Sequence, residues 1–121
     1  MARIMISDDS DAIRMVLKDM LILGGHEVVA EATNGIETIE IFEKTKPDLL
    51  LLDIAMPKKD GKTALIEVIS DHPDAKVIMI TASDNMNAIK ECVLHGAVSY
   101  ILKPFDSDEL LKVVSEIFKT N

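Results

Sequence analysis

Short apolar runs alternate with longer amphipathic segments along the whole chain. Five of these runs are three to five residues long and consist mainly of valine, isoleucine, leucine, methionine and alanine. Such runs predict β-strands, and the unbroken apolar character of most of them is typical of strands that are buried on both faces of a sheet. The predicted strands are 4–6, 28–32, 49–52, 77–80 and 100–102.

The segments between these strands carry apolar residues at helical spacing. The first helix is predicted to follow the capping residues Asp9-Ser10 and to end at Gly24-Gly25. Asn34-Gly35 opens the second helix, and the third and fourth are predicted over 62–70 and 86–95. The fifth begins near Asp106, which has capping-box spacing to Glu109. We expect these residues to face the core: Ile13, Val16, Leu17, Met20 and Leu21 on the first helix, Ile36, Ile39 and Phe42 on the second, and Leu110, Val113, Val114 and Ile117 on the fifth.

Five repeats of a strand followed by a helix predict an α/β fold, in which helices cover both faces of a parallel sheet. The chain has 121 residues, and a domain commonly has about 100–200. We therefore expect a single domain over 1–121, with no effector domain after the fifth helix.

Composition and charge exclude several classes of partner. The 21 acidic residues outnumber the 13 basic ones, whereas nucleic-acid binding usually requires clustered lysine and arginine. The longest apolar runs have four residues, and a membrane helix needs about 20. The first residues also lack the apolar stretch of a signal peptide. We expect a cytoplasmic monomer that binds neither nucleic acid nor membrane directly.

Cysteine and histidine offer little chemistry of their own. The single cysteine, Cys92, excludes an internal disulfide and a cysteine zinc site, and its apolar neighbours at helical spacing predict a buried filler. His26, His72 and His95 lack metal-ligand spacing and are expected at the surface.

The polar residues that interrupt the apolar pattern fall where predicted strands end. Asp8 and Asp9 follow the first strand, Asp53 the third, Thr81 the fourth and Lys103 the fifth. Ligands of open α/β sheets bind outside the carboxyl ends of the strands. If the first and third strands are neighbours, three carboxylates meet at this edge.

Three converging carboxylates repel one another and favour a hard divalent cation such as Mg²⁺ between them. The charges of three carboxylates, one divalent cation and Lys103 sum to zero, so the pocket can accept a phosphoryl group. Asp53 is a candidate nucleophile, because carboxylates form aspartyl phosphates. Thr81 and Lys103 could each bind a phosphoryl oxygen.

Other interpretations of these residues remain. Each of them alone can be structural, as a helix cap, a loop residue, a strand residue or a solvated lysine. A dinucleotide site is disfavoured, because acidic residues stand where its glycine-rich loop would lie. A phosphatase with an aspartate nucleophile is expected to have a second acid two residues later, where Ala55 stands.

The same residues form motifs that resemble those of a known family. The motifs are Ser7-Asp8-Asp9-Ser10 with Arg14, Asp53-Ile54-Ala55-Met56-Pro57 with Asp60-Gly61, Thr81-Ala82, and Gly96-Ala97 with Tyr100 and Lys103-Pro104-Phe105. Over essentially its whole length the chain is similar to receiver domains of two-component response regulators, most closely the stand-alone, CheY-like kind. The resemblance implies the sheet order 2-1-3-4-5 of flavodoxin and CheY, which is taken from that fold class and not from the sequence pattern.

The resemblance also implies a phosphorylation switch. A sensor histidine kinase would donate a phosphoryl group to Asp53. Mg²⁺ would be held by Asp9, Asp53 and the backbone carbonyl of Ala55, and by Asp8 through water.

The same resemblance implies how the switch is read. Thr81 and Lys103 would bind the phosphoryl oxygens. Tyr100 matches an aromatic switch position whose ring turns inward as Thr81 moves, although it can also be a packed strand aromatic. The surface of helix 4, strand 5 and helix 5 would then change its affinity for a downstream protein partner.

Four residues depart from the family pattern. Ser7 replaces an apolar residue, and Lys59 places a charge where an apolar residue is common. Ala55 and Ser83 occupy positions that tune the rate of dephosphorylation in the family. The lifetime of the phosphorylated state therefore does not follow from the sequence.

Several functions remain open at this point. We favour a messenger of the chemotaxis type over a phosphorelay intermediate that passes its phosphoryl group to another histidine protein. A phosphorylation-independent adaptor is expected to lose Asp53, Thr81 or Lys103, and all three are present. A Mg²⁺-dependent phosphohydrolase is the least favoured, and we expect no turnover of a separate substrate.

Overall fold

Five strands alternate with five helices in the computed structural model, which describes residues 2–82 and 86–119. The strands are β1 (Arg3–Ser7), β2 (Glu27–Ala32), β3 (Leu49–Asp53), β4 (Val77–Ala82) and β5 (Ser99–Lys103). The helices are α1 (Asp11–Leu23), α2 (Gly35–Thr45), α3 (Gly61–Asp71), α4 (Met86–Leu94) and α5 (Ser107–Ile117). All ten predicted elements are confirmed, and the strand and helix ends differ from the predicted ones by at most two residues.

The strands form one parallel sheet in the order β2-β1-β3-β4-β5, which confirms the implied fold class. The three central strands are almost wholly buried, whereas β2 and β5 at the edges are only partly buried. Continuous apolar runs therefore occur where helices cover both faces of the sheet.

Two apolar layers enclose the sheet, because successive residues of a strand point to opposite faces. Met5, Leu50 and Leu52 face α2, α3 and α4. Ile4 and the other side chains of the opposite parity face α1 and α5. The central strands are thus held rigidly from both sides, and their carboxyl ends form a fixed platform.

Side-chain caps fix the start of four helices. The N-cap residues Ser10, Asn34, Asp60 and Asp106 each accept a hydrogen bond from the backbone N–H three residues later. For α5 this donor is the N–H of Glu109, as the predicted capping spacing requires.

Two predicted core residues are wrong. Val16 is 43 % exposed and Ile36 is 44 % exposed. On α1 the buried residues are Leu17 and Leu21, and Val16 lies about 100° around the helix from Leu17. On α2 the buried face includes Thr38, which an apolar count overlooks.

The prediction for the histidines is also partly wrong. His26 is half-buried, and its Nδ1 accepts a hydrogen bond of 3.2 Å from the N–H of Ala2. His72 is half-buried at the end of α3, where its ring contacts Phe42 and its Nε2 lies 2.7 Å from Oε2 of Glu43. Both histidines fill gaps between elements and bring a polar atom to a neighbouring polar group.

The single cysteine lies where the sequence predicts. Cys92 is fully buried on α4, which confirms the predicted filler. Among the described residues, no helix has the length and hydropathy that crossing a membrane requires.

Gly61, the first residue of α3, has no room for a side chain. A Cβ atom there would lie 2.0 Å from the carbonyl oxygen of Asp53 and 2.7 Å from Cα of Ile54. We expect Gly61→Ala to lower the free energy of unfolding by about 3 kcal/mol, the upper end of the usual cost of overpacking. Urea denaturation measures this change, with Thr63→Ala on the same helix as an exposed control. A loss no larger than that of the control would contradict the close packing of α3 on β3.

Candidate functional site

The register of the sheet brings three polar strand ends together. Ser7 on β1 pairs with Leu52 on β3, so that Asp8 and Asp53 follow side by side. Asp53 in turn pairs with Ile80 on β4, and Thr81 follows Ile80. The predicted site residues therefore converge because parallel strands end at the same edge of the sheet.

Asp8, Asp9 and Asp53 form a carboxylate cluster. One oxygen of each lies within 4.8 Å of the others. Asp8 and Asp53 are only 1 % and 4 % exposed, whereas Asp9 is exposed. Two of the three negative charges are thus removed from water, where their mutual repulsion is strongest.

Lys103 supplies positive charge to this cluster. Its Nζ donates a hydrogen bond of 3.1 Å to Oδ2 of Asp8 and lies 3.6 Å from Oδ1 of Asp53. Lys103 is the last residue of β5, and its peptide bond to Pro104 is cis. One ammonium group cannot balance three carboxylates, so the cluster retains net negative charge.

Asp53 shows the effect of this imbalance. Burial, and after it the neighbouring charge of Asp8, raise the pKa of its carboxyl group from 3.8 to about 6. The ammonium group of Lys103 and a hydrogen bond from the N–H of Ala55 lower the pKa in part. Additional positive charge near Asp53 would therefore stabilise its ionised form and lower its pKa.

Backbone and guanidinium contacts fix Asp8. Its Oδ1 accepts a hydrogen bond of 2.9 Å from the N–H of Ser10, and its carbonyl oxygen accepts one of 2.6 Å from Nη1 of Arg14. Arg14 is itself held by Glu31, at 3.1 Å, and by Asp11. The sequence motif contains Arg14, but its role as a support for Asp8 becomes visible only in three dimensions.

Thr81 and Tyr100 lie on adjacent strands beside the cluster. Thr81 is buried on β4, next to Leu102 of β5. Tyr100 is 41 % exposed on β5. Tyr100 pairs with Met79, two residues before Thr81, so the two residues lie diagonally on adjacent strands, with Thr81 buried and Tyr100 at the surface.

Ala55 lies in the loop that leaves β3. Its N–H lies 3.4 Å from Oδ1 of Asp53, and its side chain is exposed. Ser83, the other position for which the resemblance implies a role in the dephosphorylation rate, lies outside the described residues.

The structure accounts for Ser7, which the sequence leaves unexplained. The buried hydroxyl groups of Ser7 and Thr38 are 3.0 Å apart, and the Thr38 hydroxyl also lies 2.7 Å from the carbonyl oxygen of Asn34. Because that carbonyl can only accept, the Thr38 proton goes to it and the Ser7 proton serves the hydroxyl pair. Ser7 therefore joins β1 to α2. The sequence does not reveal this partner, because Thr38 lies 31 residues away from Ser7 along the chain.

The cluster fits a hard divalent cation. Ionised carboxylates accept only, and oxygen atoms are the ligands that Mg²⁺ prefers. Three such groups converge within 4.8 Å, with a net charge of −2 once Lys103 is included. A divalent cation would bring this charge to zero, as the sequence predicts.

Comparison with known proteins agrees with this geometry. The model of the response regulator receiver domain family matches residues 4–115. The chain is 40 % identical to the chemotaxis protein CheY of Bacillus subtilis over 114 residues, which cover 94 % of this chain and 95 % of the relative. It is 36 % identical to the chemotaxis protein CheY of Thermotoga maritima, over 97 % of this chain and 98 % of the relative.

A solved structure shows the same fold. A chain in the crystal structure of the CheX–CheY–BeF3–Mg²⁺ complex from Borrelia burgdorferi superposes with a TM-score of 0.94 and 31 % sequence identity, covering 98 % of this chain and 90 % of that one. The family model and the relatives both span nearly the whole chain. Hence the chain belongs to the response regulator receiver domain family.

Proposed function

We propose that this protein is a phosphoacceptor signalling switch. A sensor histidine kinase transfers a phosphoryl group to Asp53 in the presence of Mg²⁺, and the change alters the affinity for a downstream protein. The observation that carries this proposal is the carboxylate cluster of Asp8, Asp9 and Asp53, whose oxygens lie within 4.8 Å, with Nζ of Lys103 between two of them. No turnover of a separate substrate is proposed.

The carboxylate of Asp53 is the nucleophile in this proposal. One of its oxygens forms a bond to phosphorus while the P–N bond of the kinase phosphohistidine breaks, and the electron pair of that bond returns to the imidazole. The pKa of about 6 leaves Asp53 mostly ionised at pH 7. Phosphorylation adds negative charge to the crowded carboxylate cluster, so the reaction depends on the positive charge of Lys103 and of the cation.

Mg²⁺ would be held by Asp9, Asp53 and the backbone carbonyl of Ala55, and by Asp8 through water. When bound, it supplies the positive charge that lets an anionic phosphoryl group approach three carboxylates. The buried position of Asp8, fixed by Ser10 and Arg14, keeps the acidic edge in place before the cation arrives. BeF3, present with Mg²⁺ in the Borrelia complex, is a tetrahedral stand-in for a phosphoryl group, which supports this assignment.

Lys103 and Thr81 are proposed to bind the phosphoryl oxygens. The ammonium group of Lys103 already lies 3.6 Å from Asp53, and new acceptor oxygens on Asp53 would draw it from Asp8. The movement of Thr81 would vacate space on the sheet side of β5, into which the exposed ring of Tyr100 could turn. This is the local charge change and the two-state element that a switch requires.

The output surface is proposed to be formed by α4, β5 and α5. It exposes apolar side chains that a monomer does not need there: Met86, Val93, Leu94, Val98 and Tyr100. The CheY relatives support a partner of the chemotaxis type, and the Borrelia complex contains CheX. We propose that the free protein acts in the cytoplasm as a monomer.

Phosphorylation of Asp53 is the first prediction from this site. After incubation with acetyl phosphate and Mg²⁺, we expect intact mass spectrometry to find one added phosphoryl group. Because Asp53 is the acceptor and needs the cation, chelation of Mg²⁺ or the substitution Asp53→Asn should abolish the adduct. Asp19→Asn, on the exposed side of α1, is the matched control.

The release of inorganic phosphate completes this experiment. An absent adduct together with phosphate release that needs Asp53 indicates rapid hydrolysis and agrees with the proposal. Neither an adduct nor phosphate release would contradict it and would favour a phosphorylation-independent adaptor. An adduct that persists in Asp53→Asn would place the acceptor on another residue.

Binding of Mg²⁺ to the folded state is the second prediction from this site. We expect the melting temperature to rise with Mg²⁺, because a ligand that binds only the folded state stabilises it by about 2.7 kcal/mol at 100 times its Kd. Differential scanning calorimetry at matched ionic strength measures the shift. It should be lost in Asp9→Asn and kept in Glu40→Gln, an exposed carboxylate of α2. Equal shifts in all three proteins would reveal a general salt effect instead.

The raised pKa of Asp53 predicts how stability depends on pH without metal. Between pH 3.8 and about 6 the folded protein binds the Asp53 proton more tightly than the unfolded chain does, so this group lowers stability as the pH rises through that range. The loss reaches about 3 kcal/mol above pH 6, at about 1.4 kcal/mol per pH unit. Metal-free Asp53→Asn should therefore gain stability over wild type from pH 4 to pH 7. Urea denaturation measures the free energy of unfolding of both proteins at each pH. A difference between them that stays constant with pH would contradict the raised pKa of Asp53.

A further inference from the structure

The loop between β3 and α3, residues 54–60, carries Ala55 and is anchored unevenly. Its first half is fixed by the sheet and the core: the N–H of Ile54 bonds to the carbonyl of Ile80 at 3.3 Å, and Ile54 and Met56 are buried. Its end is fixed by a hydrogen bond of 2.8 Å from the N–H of Gly61 to the carbonyl of Ile54. The segment from Pro57 to Asp60 lies outside the core and depends on other contacts.

Lys58 lies at the strained point of this segment. Its φ is +66°, and the N–H of Lys59 donates a hydrogen bond of 2.7 Å to the carbonyl of Pro57. A three-residue turn with positive φ at its centre is a rare and strained γ-turn. A residue that is not glycine keeps such a conformation only where its surroundings enforce it.

Lys59 provides that enforcement through two contacts. Its Nζ donates to both carboxylate oxygens of Glu67 on α3, at 2.9 and 2.7 Å. Its backbone packs against the first residue of α2, where a Cβ atom on Gly35 would lie 2.1 Å from the Lys59 carbonyl oxygen. The side chain of Lys59 therefore ties the strained turn to α3 while its backbone rests on α2.

The pair is too exposed to act mainly as a stabilising contact. The side chains of Lys59 and Glu67 are 28 % and 42 % exposed, and exposed ion pairs contribute little to folding. The Lys59–Glu67 pair differs from other surface ion pairs in its position, because Lys59 is four residues after Ala55 in the loop that bounds the acidic site. A small energy is enough to select one loop conformation over another.

We propose that the Lys59–Glu67 ion pair positions the β3–α3 loop for metal binding at the acidic site. By holding the strained turn against α3, it restricts the movement of the loop in which the backbone carbonyl of Ala55 would hold the cation. The pair thereby sets the affinity for Mg²⁺ and, through it, the Mg²⁺ concentration at which Asp53 is phosphorylated. This inference rests on the proposed function, and both residues are positioning residues.

A role of Lys59 through its charge alone and a role in positioning the loop predict opposite changes in Mg²⁺ affinity when Lys59 is substituted. The proposal is therefore testable. If Lys59 acts only through its charge, its removal leaves the site more negative and Mg²⁺ binds more tightly, whereas loss of the charge of Glu67 weakens binding. If the pair positions the loop, removal of either partner weakens binding. The sign of the effect at Lys59 therefore distinguishes the two.

The test measures the Kd for Mg²⁺ by isothermal titration calorimetry in Lys59→Met and Glu67→Gln. We expect both substitutions to raise the Kd about three- to fivefold, equivalent to about 0.7–1 kcal/mol. Lys59→Arg, which keeps a bidentate pair, and the double reversal K59E/E67K should restore the Kd to within about twofold of wild type. Lys62→Met is the matched control, because Lys62 is close to Lys59 in sequence but lies on α3 and pairs with Glu91 of α4.

Two further measurements separate positioning from a general loss of structure. In phosphorylation by acetyl phosphate, Lys59→Met should raise the Mg²⁺ concentration for half-maximal rate by the same factor while the rate at saturating Mg²⁺ stays close to that of wild type. In the metal-free protein, hydrogen exchange at the N–H groups of Lys59 and Gly61 should become faster. Exchange in the central strands should stay unchanged.

The outcomes decide between clear alternatives. An unchanged or lower Kd in Lys59→Met would overturn the inference, as would an equal increase in Lys62→Met. If wild type binds Mg²⁺ and is phosphorylated but the Lys59 and Glu67 variants behave like it, only the positioning role fails. If wild type itself neither binds Mg²⁺ nor accepts a phosphoryl group, the proposed function fails first and this inference fails with it.

Discussion

Repulsion among Asp8, Asp9 and Asp53 is the constraint on which the rest of the structure depends. The parallel sheet places three carboxylates within 4.8 Å at one edge and buries two of them, and the ammonium group of Lys103 offsets only one charge. A fold that keeps such a cluster together without a cation has to be held firmly elsewhere. The two apolar layers around β1, β3 and β4 provide that support, because the chain cannot relieve the repulsion by separating strands that are packed on both faces.

The same constraint explains why small details around the site matter. Arg14 holds the carbonyl of Asp8 at 2.6 Å, and Gly61 lets α3 approach the carbonyl of Asp53 more closely than any side chain allows. Each contact fixes the backbone next to a carboxylate and leaves the carboxylate free to take a ligand. The Lys59–Glu67 pair has the same relation to Ala55, one loop further from the sheet. Because the backbone is fixed and the negative charge of the side chains is not fully balanced, a cation that binds at this site would find its ligands already in position.

The sequence allowed the elements and the acidic edge to be predicted because both depend on short-range patterns. Apolar runs and caps such as Asp106 are local, and polar residues after strands stand out against them. The strand order had to come from the family resemblance, since periodicity does not say which strands are neighbours. Val16 and Ile36 were misplaced because hydrophobicity alone cannot say which side of a helix meets the sheet. The partners Thr38 for Ser7 and Glu67 for Lys59 lie on other elements, and their pairing follows from packing that no local pattern encodes.

The acidic site and the proposed output surface are linked through the two outer strands. Thr81 on β4 pairs in register with Leu102 on β5. Lys103 and Tyr100 both lie on β5, where Lys103 contacts the acidic cluster and Tyr100 is at the surface. In the proposed switch, a phosphoryl group on Asp53 changes what Thr81 and Lys103 contact, and β5 carries the change to Tyr100. Coupling of this kind is reciprocal. A partner that binds the phosphorylated surface more tightly must therefore shift the equilibrium towards the phosphorylated site by the same factor.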